Sequence, residues 1–141
     1  MKRVSLLLGG LVAGVVIVAG EAVLNLWLLF DDWSVLRSRQ NLPQLGVFEI
    51  FQGTFKLLLL GVFTVGLALV FEKAFQSSGR ARFAAGLVVW GLVWVWVQWG
   101  MWLAGYITPK VAFITVGWGF LELSLASWLG AAAYRFTSTT S

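Results

Sequence analysis

The sequence predicts an all-α protein built as an antiparallel bundle of four transmembrane helices. Three observations predict this fold: 60% of the 141 residues are hydrophobic, 11% are charged, and the apolar residues fall into four long runs. Runs of 18 or more apolar residues with few charges are typical of membrane-spanning helices. A membrane β-barrel is excluded because these runs do not alternate polar and apolar residues.

The apolar runs occupy most of the chain and predict a single integral membrane domain over residues 1–141. The predicted spans are residues 4–30, 47–71, 83–107 and 111–134. The first span follows a short basic start, as in a signal peptide, but it continues past Glu21 and is too long for one. The 16 Gly residues suit close packing of helices in lipid.

The distribution of basic residues predicts the orientation in the membrane. Four spans place both termini and the second loop on one side, and six of the ten basic residues fall there: Lys2, Arg3, Lys73, Arg80, Arg82 and Arg135. The other side carries three: Arg37, Arg39 and Lys110. Because cytoplasmic loops are rich in Lys and Arg, we expect cytoplasmic termini in a multi-pass protein of the inner (plasma) membrane. The net charge of +4 follows from this bias, so no nucleic-acid partner is expected.

The chain contains no Cys and no His. Disulfides and thiolate chemistry are therefore excluded, and the usual axial ligand of haem and the commonest metal ligand are missing. We expect no cofactor, no metal site and no catalytic residues. An enzyme is the least favoured class, because paired carboxylates alone are weak support for one.

Each predicted span carries one long polar side chain at a similar depth. At a rise of ~1.5 Å per residue, four of them lie roughly 13–17 Å below the outer boundary: Glu21, Lys56, Gln98 and Glu122. Two neighbours at helical spacing extend this mid-membrane layer: Asn25 and Gln52. Glu49 begins the span-two stripe and is the predicted entry from outside.

Lipid offers no hydrogen bonds, so these polar side chains are predicted to face the interior of the bundle. Lys56 is then the natural counter-ion for one of the two carboxylates. Two interpretations of the layer remain open. It either holds the helices in register, including assembly with another subunit, or forms an ion, proton or small-substrate site entered from outside.

Tryptophan is the other unusual feature, with nine residues in the chain. Five lie on span three and form the predicted aromatic lining: Trp90, Trp94, Trp96, Trp99 and Trp102. Steps of four place three of them on one stripe with Gln98, whereas Trp96 and Trp99 point away from it. Indoles at this depth either pack against a partner or lipid, or line a pocket for an organic cation or a flat molecule such as a pigment or quinone.

Three stretches carry a resemblance to a known group: AGVVIVAGEAVLN (residues 13–25), SGRARFAAGLVVW (78–90) and GWGFLELSLASWLGAAAY (117–134). They resemble uncharacterised bacterial four-span membrane proteins. Because that group has no established activity, the resemblance implies the fold and no chemistry. It includes Glu21, Asn25 and Glu122 but not Lys56.

The favoured function is that of a non-catalytic accessory or assembly subunit of a membrane complex. The alternative is a small proton- or cation-coupled transporter or channel that uses Glu21, Glu122 and Lys56. We expect that alternative to act as a homodimer, because four helices rarely enclose a path alone. The expected partners are membrane lipid and either other membrane subunits or a second copy of the chain.

Overall fold

The computed structural model describes residues 2–43 and 45–139, with only the backbone described for Lys2. These residues form helices and connecting turns, without a strand. The helices are α1 (Lys2–Val23), α2 (Phe30–Arg39), α3 (Val47–Phe75), α4 (Ser78–Trp90), α5 (Trp96–Leu103) and α6 (Pro109–Thr139). Two π-helical segments are inserted: Leu24–Leu28 continues α1, and Gly91–Val95 joins α4 to α5.

Four helical segments of the described chain are long and apolar enough to cross a membrane. They are Arg3–Leu28, Val47–Phe75, Ser78–Leu103 and Pro109–Thr139. The prediction of an all-helical bundle with four such spans is confirmed, although the boundaries differ by several residues. The predicted boundaries lie where the apolar runs begin and end, whereas the helices continue through the polar residues beside them. For example, α4 already begins at Ser78.

The four long helices form one bundle in which small residues set the closest contacts. The first span packs mainly against α3 and α6, and α4 packs against the same two helices. Gly61 of α3 lies directly against Gly10 and Gly14 of α1, which brings the two backbones together. The core of buried side chains between the helices is Ala13, Ile17, Val65, Val89, Trp94, Leu123 and Ala126.

The connection between the first two spans contains a helix, α2, which lies outside the four apolar runs of the sequence. Helix α2 has Asp31 and Asp32 in its first turn and Arg37 and Arg39 in its last turn, the charge order that a helix dipole favours. Its buried Leu36 packs on the first and last spans in an apolar cluster: Leu24, Leu29, Leu36, Ile107, Val111 and Ala112.

The two ends of the bundle differ in charge. At the end that carries α2, called the α2 end below, Lys110 pairs with Asp32 at 2.8 Å near the start of α6. The opposite end is called the basic end because Lys73, Arg80, Arg82 and Arg135 lie there. At this end Arg135, near the end of α6, pairs with Glu72 of α3. These are the ion pairs that the described residues form, and both lie near helix ends.

Candidate functional site

Glu21 lies inside the bundle and accepts three hydrogen bonds from uncharged donors. Two go to its carboxyl group and one to its backbone oxygen. The indole Nε1 of Trp94 donates to Glu21 Oε1 at 3.2 Å. The amide of Asn25 donates to Glu21 Oε2 and to the Glu21 backbone oxygen, both at 2.8 Å. Trp33 of α2 in turn donates to Asn25 Oδ1 at 2.8 Å. A chain of hydrogen bonds therefore runs from α2 to the Glu21 carboxyl group.

Glu122 lies close by and is more completely enclosed. Only 6% of this residue is exposed, and among the described residues the Trp118 indole is the polar group that lies near its carboxyl oxygens, without a hydrogen bond of normal geometry to them. Its carboxyl group lies directly against Gly20, the residue before Glu21. Trp118, one turn before Glu122, donates its indole N–H to the Gly20 backbone oxygen at 3.0 Å. Since Gly20 precedes Glu21 in α1, the Glu122 carboxyl group meets α1 one residue from the second interior acid.

No basic side chain of the described residues pairs with either interior carboxyl group, because both ion pairs lie near helix ends. Two like charges close together in surroundings of low dielectric repel each other strongly. Burial of an unpaired carboxylate adds a further cost. The pair therefore needs a bound proton or cation to be neutralised.

Two further buried oxygens lack partners and extend the site toward the α2 end. Thr115 is 4% exposed and lies seven residues before Glu122 on the same side of α6, and its hydroxyl oxygen has no hydrogen bond. Gln98 lies four residues after Trp94, and its Oε1 is also buried without a partner. Buried oxygens of this kind are acceptors available within the site.

Both side-chain donors to Glu21 come from π-helical turns. Asn25 lies within Leu24–Leu28, and Trp94 lies within Gly91–Val95. A π turn holds an extra residue in the helix and is common at functional sites, because it redirects one side chain without breaking the helix. The sequence carries no signal for these turns.

The structure corrects the predicted position of the span-two stripe. Glu49, Gln52 and Lys56 are exposed, and the latter two lie on the same side of α3 as the exposed Leu59 and Phe63. The opposite side of α3, which carries buried Gly61, faces α1. Contact between small residues thus sets the rotation of α3 and turns the polar stripe outward. The prediction that Lys56 is a counter-ion inside the bundle is wrong.

Only part of the predicted aromatic lining faces the interior of the bundle. Trp94 is buried, Trp90 and Trp102 are half-buried, and Gln98 lies with them. Trp96 and Trp99 are 78% and 52% exposed, so they do not line the interior. Trp90 donates to the Val116 backbone oxygen at 2.8 Å, which ties span three to α6.

Trp33 and Trp118 were missed as site residues. Trp118 had a usable signal, because it lies four residues before Glu122 and therefore on the same side of the helix. Trp33 had none, because α1 and α2 meet at Leu29, where the helical spacing is broken.

The site is compact. Two surface grooves flank α2, one lined by Asp31, Asp32 and Lys110 and the other by Trp33, Gln40 and Tyr106, and neither is lined by Glu21 or Glu122. Among the residues described, no group of three or more acidic side chains gathers as a metal site would require.

Comparison of this chain with protein-family models, with curated proteins and with solved structures finds no match. The resemblance to bacterial four-span membrane proteins therefore stays a prediction.

Proposed function

We propose that this chain is a small proton-coupled transporter or channel of a bacterial inner membrane, in which the Glu21–Glu122 pair takes up and releases a proton. The carrying observation is Glu122, which is 6% exposed, forms no ion pair with a described residue, and packs its carboxyl group against Gly20, the residue before Glu21. A proton converts one member of such a pair into a neutral donor and relieves the repulsion. No chemical transformation of a substrate is proposed.

The proposed topology has four antiparallel spans with both termini in the cytoplasm. The bias of basic residues supports it, since Lys73, Arg80, Arg82 and Arg135 belong to the basic end. The α2 end would then face outside. Asn25, Gln98 and Thr115 lie between that end and the carboxyl pair in sequence order along their helices. We propose that protons enter along them from outside.

The test is proton flux into proteoliposomes under an imposed pH gradient. Glu122→Gln removes the titratable group but keeps the side-chain shape, and we expect it to abolish the flux. The matched control is Glu49→Gln, which changes an exposed acid of α3 and should leave the flux intact. Absence of flux with the parent protein, or equal flux with Glu122→Gln, would sink the proposal.

The outward stripe of α3 favours a second candidate, a non-catalytic accessory or assembly subunit. Gln52 and Lys56 are exposed on the outward side of α3, and Lys56, nine residues into this span, lies at a depth where a charged side chain in lipid is costly. A neighbouring subunit or a second copy would cover them. Gentle detergent extraction should then recover a stoichiometric complex that Lys56→Leu dissociates. A clean monomer from the native membrane would count against this candidate.

A further inference from the structure

Arg82 is a cation at the basic end of the bundle without an acidic partner. Its guanidinium carbon lies 5.0 Å from the centre of the Trp128 ring, a cation–π contact between α4 and α6. Its Nε is buried and makes no hydrogen bond. Among the described residues, Arg82 belongs to neither of the two ion pairs. A guanidinium group in this state has donors available for an anion.

Among the described residues, no acidic side chain pairs with Arg82. Glu72 is the acid of this end, and it already accepts a hydrogen bond from Arg135. Lys73 and Arg80 nearby are exposed and add two more positive charges. The described side chains at this end therefore carry a net positive charge, which favours an anion beside Arg82.

The position of Arg82 along the helix indicates which anion this is. The four spans contain 26 to 31 residues, whereas about 20 cross the hydrocarbon core, so their ends extend into the headgroup region. Arg82 is four residues after Ser78, the start of α4, and so lies roughly 6 Å from that end. Trp128 is 46% exposed, as expected for an indole at the membrane interface. In a bilayer crossed by these spans, Arg82 would fall near the headgroup region.

The two residues are also held together by the backbone. Ser127 is fully buried, and its hydroxyl donates to the Arg82 backbone oxygen at 2.7 Å. That bond joins α6 to α4 directly beside Trp128. The guanidinium and the indole therefore meet in a fixed geometry, which favours binding because little order has to be imposed on the protein.

We propose that Arg82 and Trp128 form a binding site for the phosphate group of an anionic phospholipid in the leaflet at the basic end. The guanidinium donates to the phosphate oxygens, for which its planar fork is well suited. The indole packs against the glycerol and the upper acyl chain. Lys73 and Arg80 provide the positive field that favours an anionic headgroup over a zwitterionic one.

The experiment is a lipid titration of the full chain in detergent, read by native mass spectrometry, with phosphatidylglycerol and phosphatidylcholine as the two probes. We expect the parent protein to bind phosphatidylglycerol more tightly. Arg82→Gln should weaken that binding by about tenfold, the equivalent of one charge-assisted hydrogen bond. Arg39→Gln, which changes an exposed arginine at the α2 end, far from the proposed site, should leave the binding unchanged within about twofold.

Two further arms keep the result unambiguous. Arg82→Lys keeps the charge and should retain part of the preference, and an unchanged unfolding temperature shows that loss of binding is not loss of fold. Inorganic phosphate is added as a competitor and should not displace the lipid. Equal binding of both lipids to the parent, an unchanged preference in Arg82→Gln, or displacement by inorganic phosphate would overturn the proposal.

Discussion

Gly20 of α1 and Glu122 of α6 are in direct contact, with the Glu122 carboxyl group occupying the space where a side chain at position 20 would lie. The contact explains how a large acidic side chain fits between two helices without a cavity. It also places the carboxyl group next to Glu21, one residue further along α1. The glycine is thus a structural requirement of the carboxyl pair.

Gly20→Ala should destabilise the protein by about 1–3 kcal/mol, because the added methyl group overpacks against the Glu122 carboxyl. The measurement is thermal unfolding in detergent. Gly53→Ala is the control, since a methyl group there has no neighbour within 4 Å and improves helix propensity. Shortening the opposing side chain with Glu122→Ala should relieve the clash in the double variant. Equal stability of the two single alanine variants would contradict this contact.

Trp94→Phe should cost about 1–3 kcal/mol of unfolding free energy. It removes the indole N–H that donates to Glu21 and leaves a buried carboxyl oxygen without its donor. Trp96→Phe is matched in chemistry but not in position, because Trp96 is 78% exposed, and it should change stability by less than about 0.5 kcal/mol. If both variants lose the same stability, the bond to Glu21 contributes nothing specific.

Asn25→Ala should break the hydrogen-bond chain between α2 and Glu21. The Trp33 indole would lose its acceptor and the Glu21 carboxyl would lose a donor, at a cost of about 1–3 kcal/mol. Ser34→Ala removes an exposed hydroxyl hydrogen bond on the same short helix and should be nearly neutral. Hydrogen exchange of α2 should accelerate in the first variant only; unchanged exchange would show that Asn25 does not hold α2 in place.

Lys56→Leu distinguishes an outward lysine from an interior counter-ion. Because Lys56 is exposed and forms no ion pair with a described residue, its removal should change the unfolding free energy of the purified monomer by less than about 0.5 kcal/mol. Loss of a counter-ion buried with a carboxylate would instead cost about 3–5 kcal/mol. Unfolding of the purified monomer in detergent separates the two values, and a loss in the larger range would return Lys56 to the interior.

Several polar residues of the site could be predicted from the sequence, but their hydrogen-bond partners could not. Glu21, Asn25 and Glu122 stand out because polar residues deep in apolar runs are rare, and the structure brings these three together. The roles of Trp33 and Trp118 were not accessible, because they depend on a break at Leu29 and on which backbone oxygen of α1 faces α6.

The sequence by itself determined that the chain has four membrane-length helices, because a long apolar run in this composition can satisfy its backbone groups only as a helix. The tertiary structure decided which way each helix turns. On α3, the polar and the small residues occupy opposite sides, and their spacing alone does not show which side faces the other helices. The close contact of Gly61 with Gly10 and Gly14 does, because backbones meet only where side chains are absent, and it leaves Lys56 outside and the two carboxyl groups without a cation.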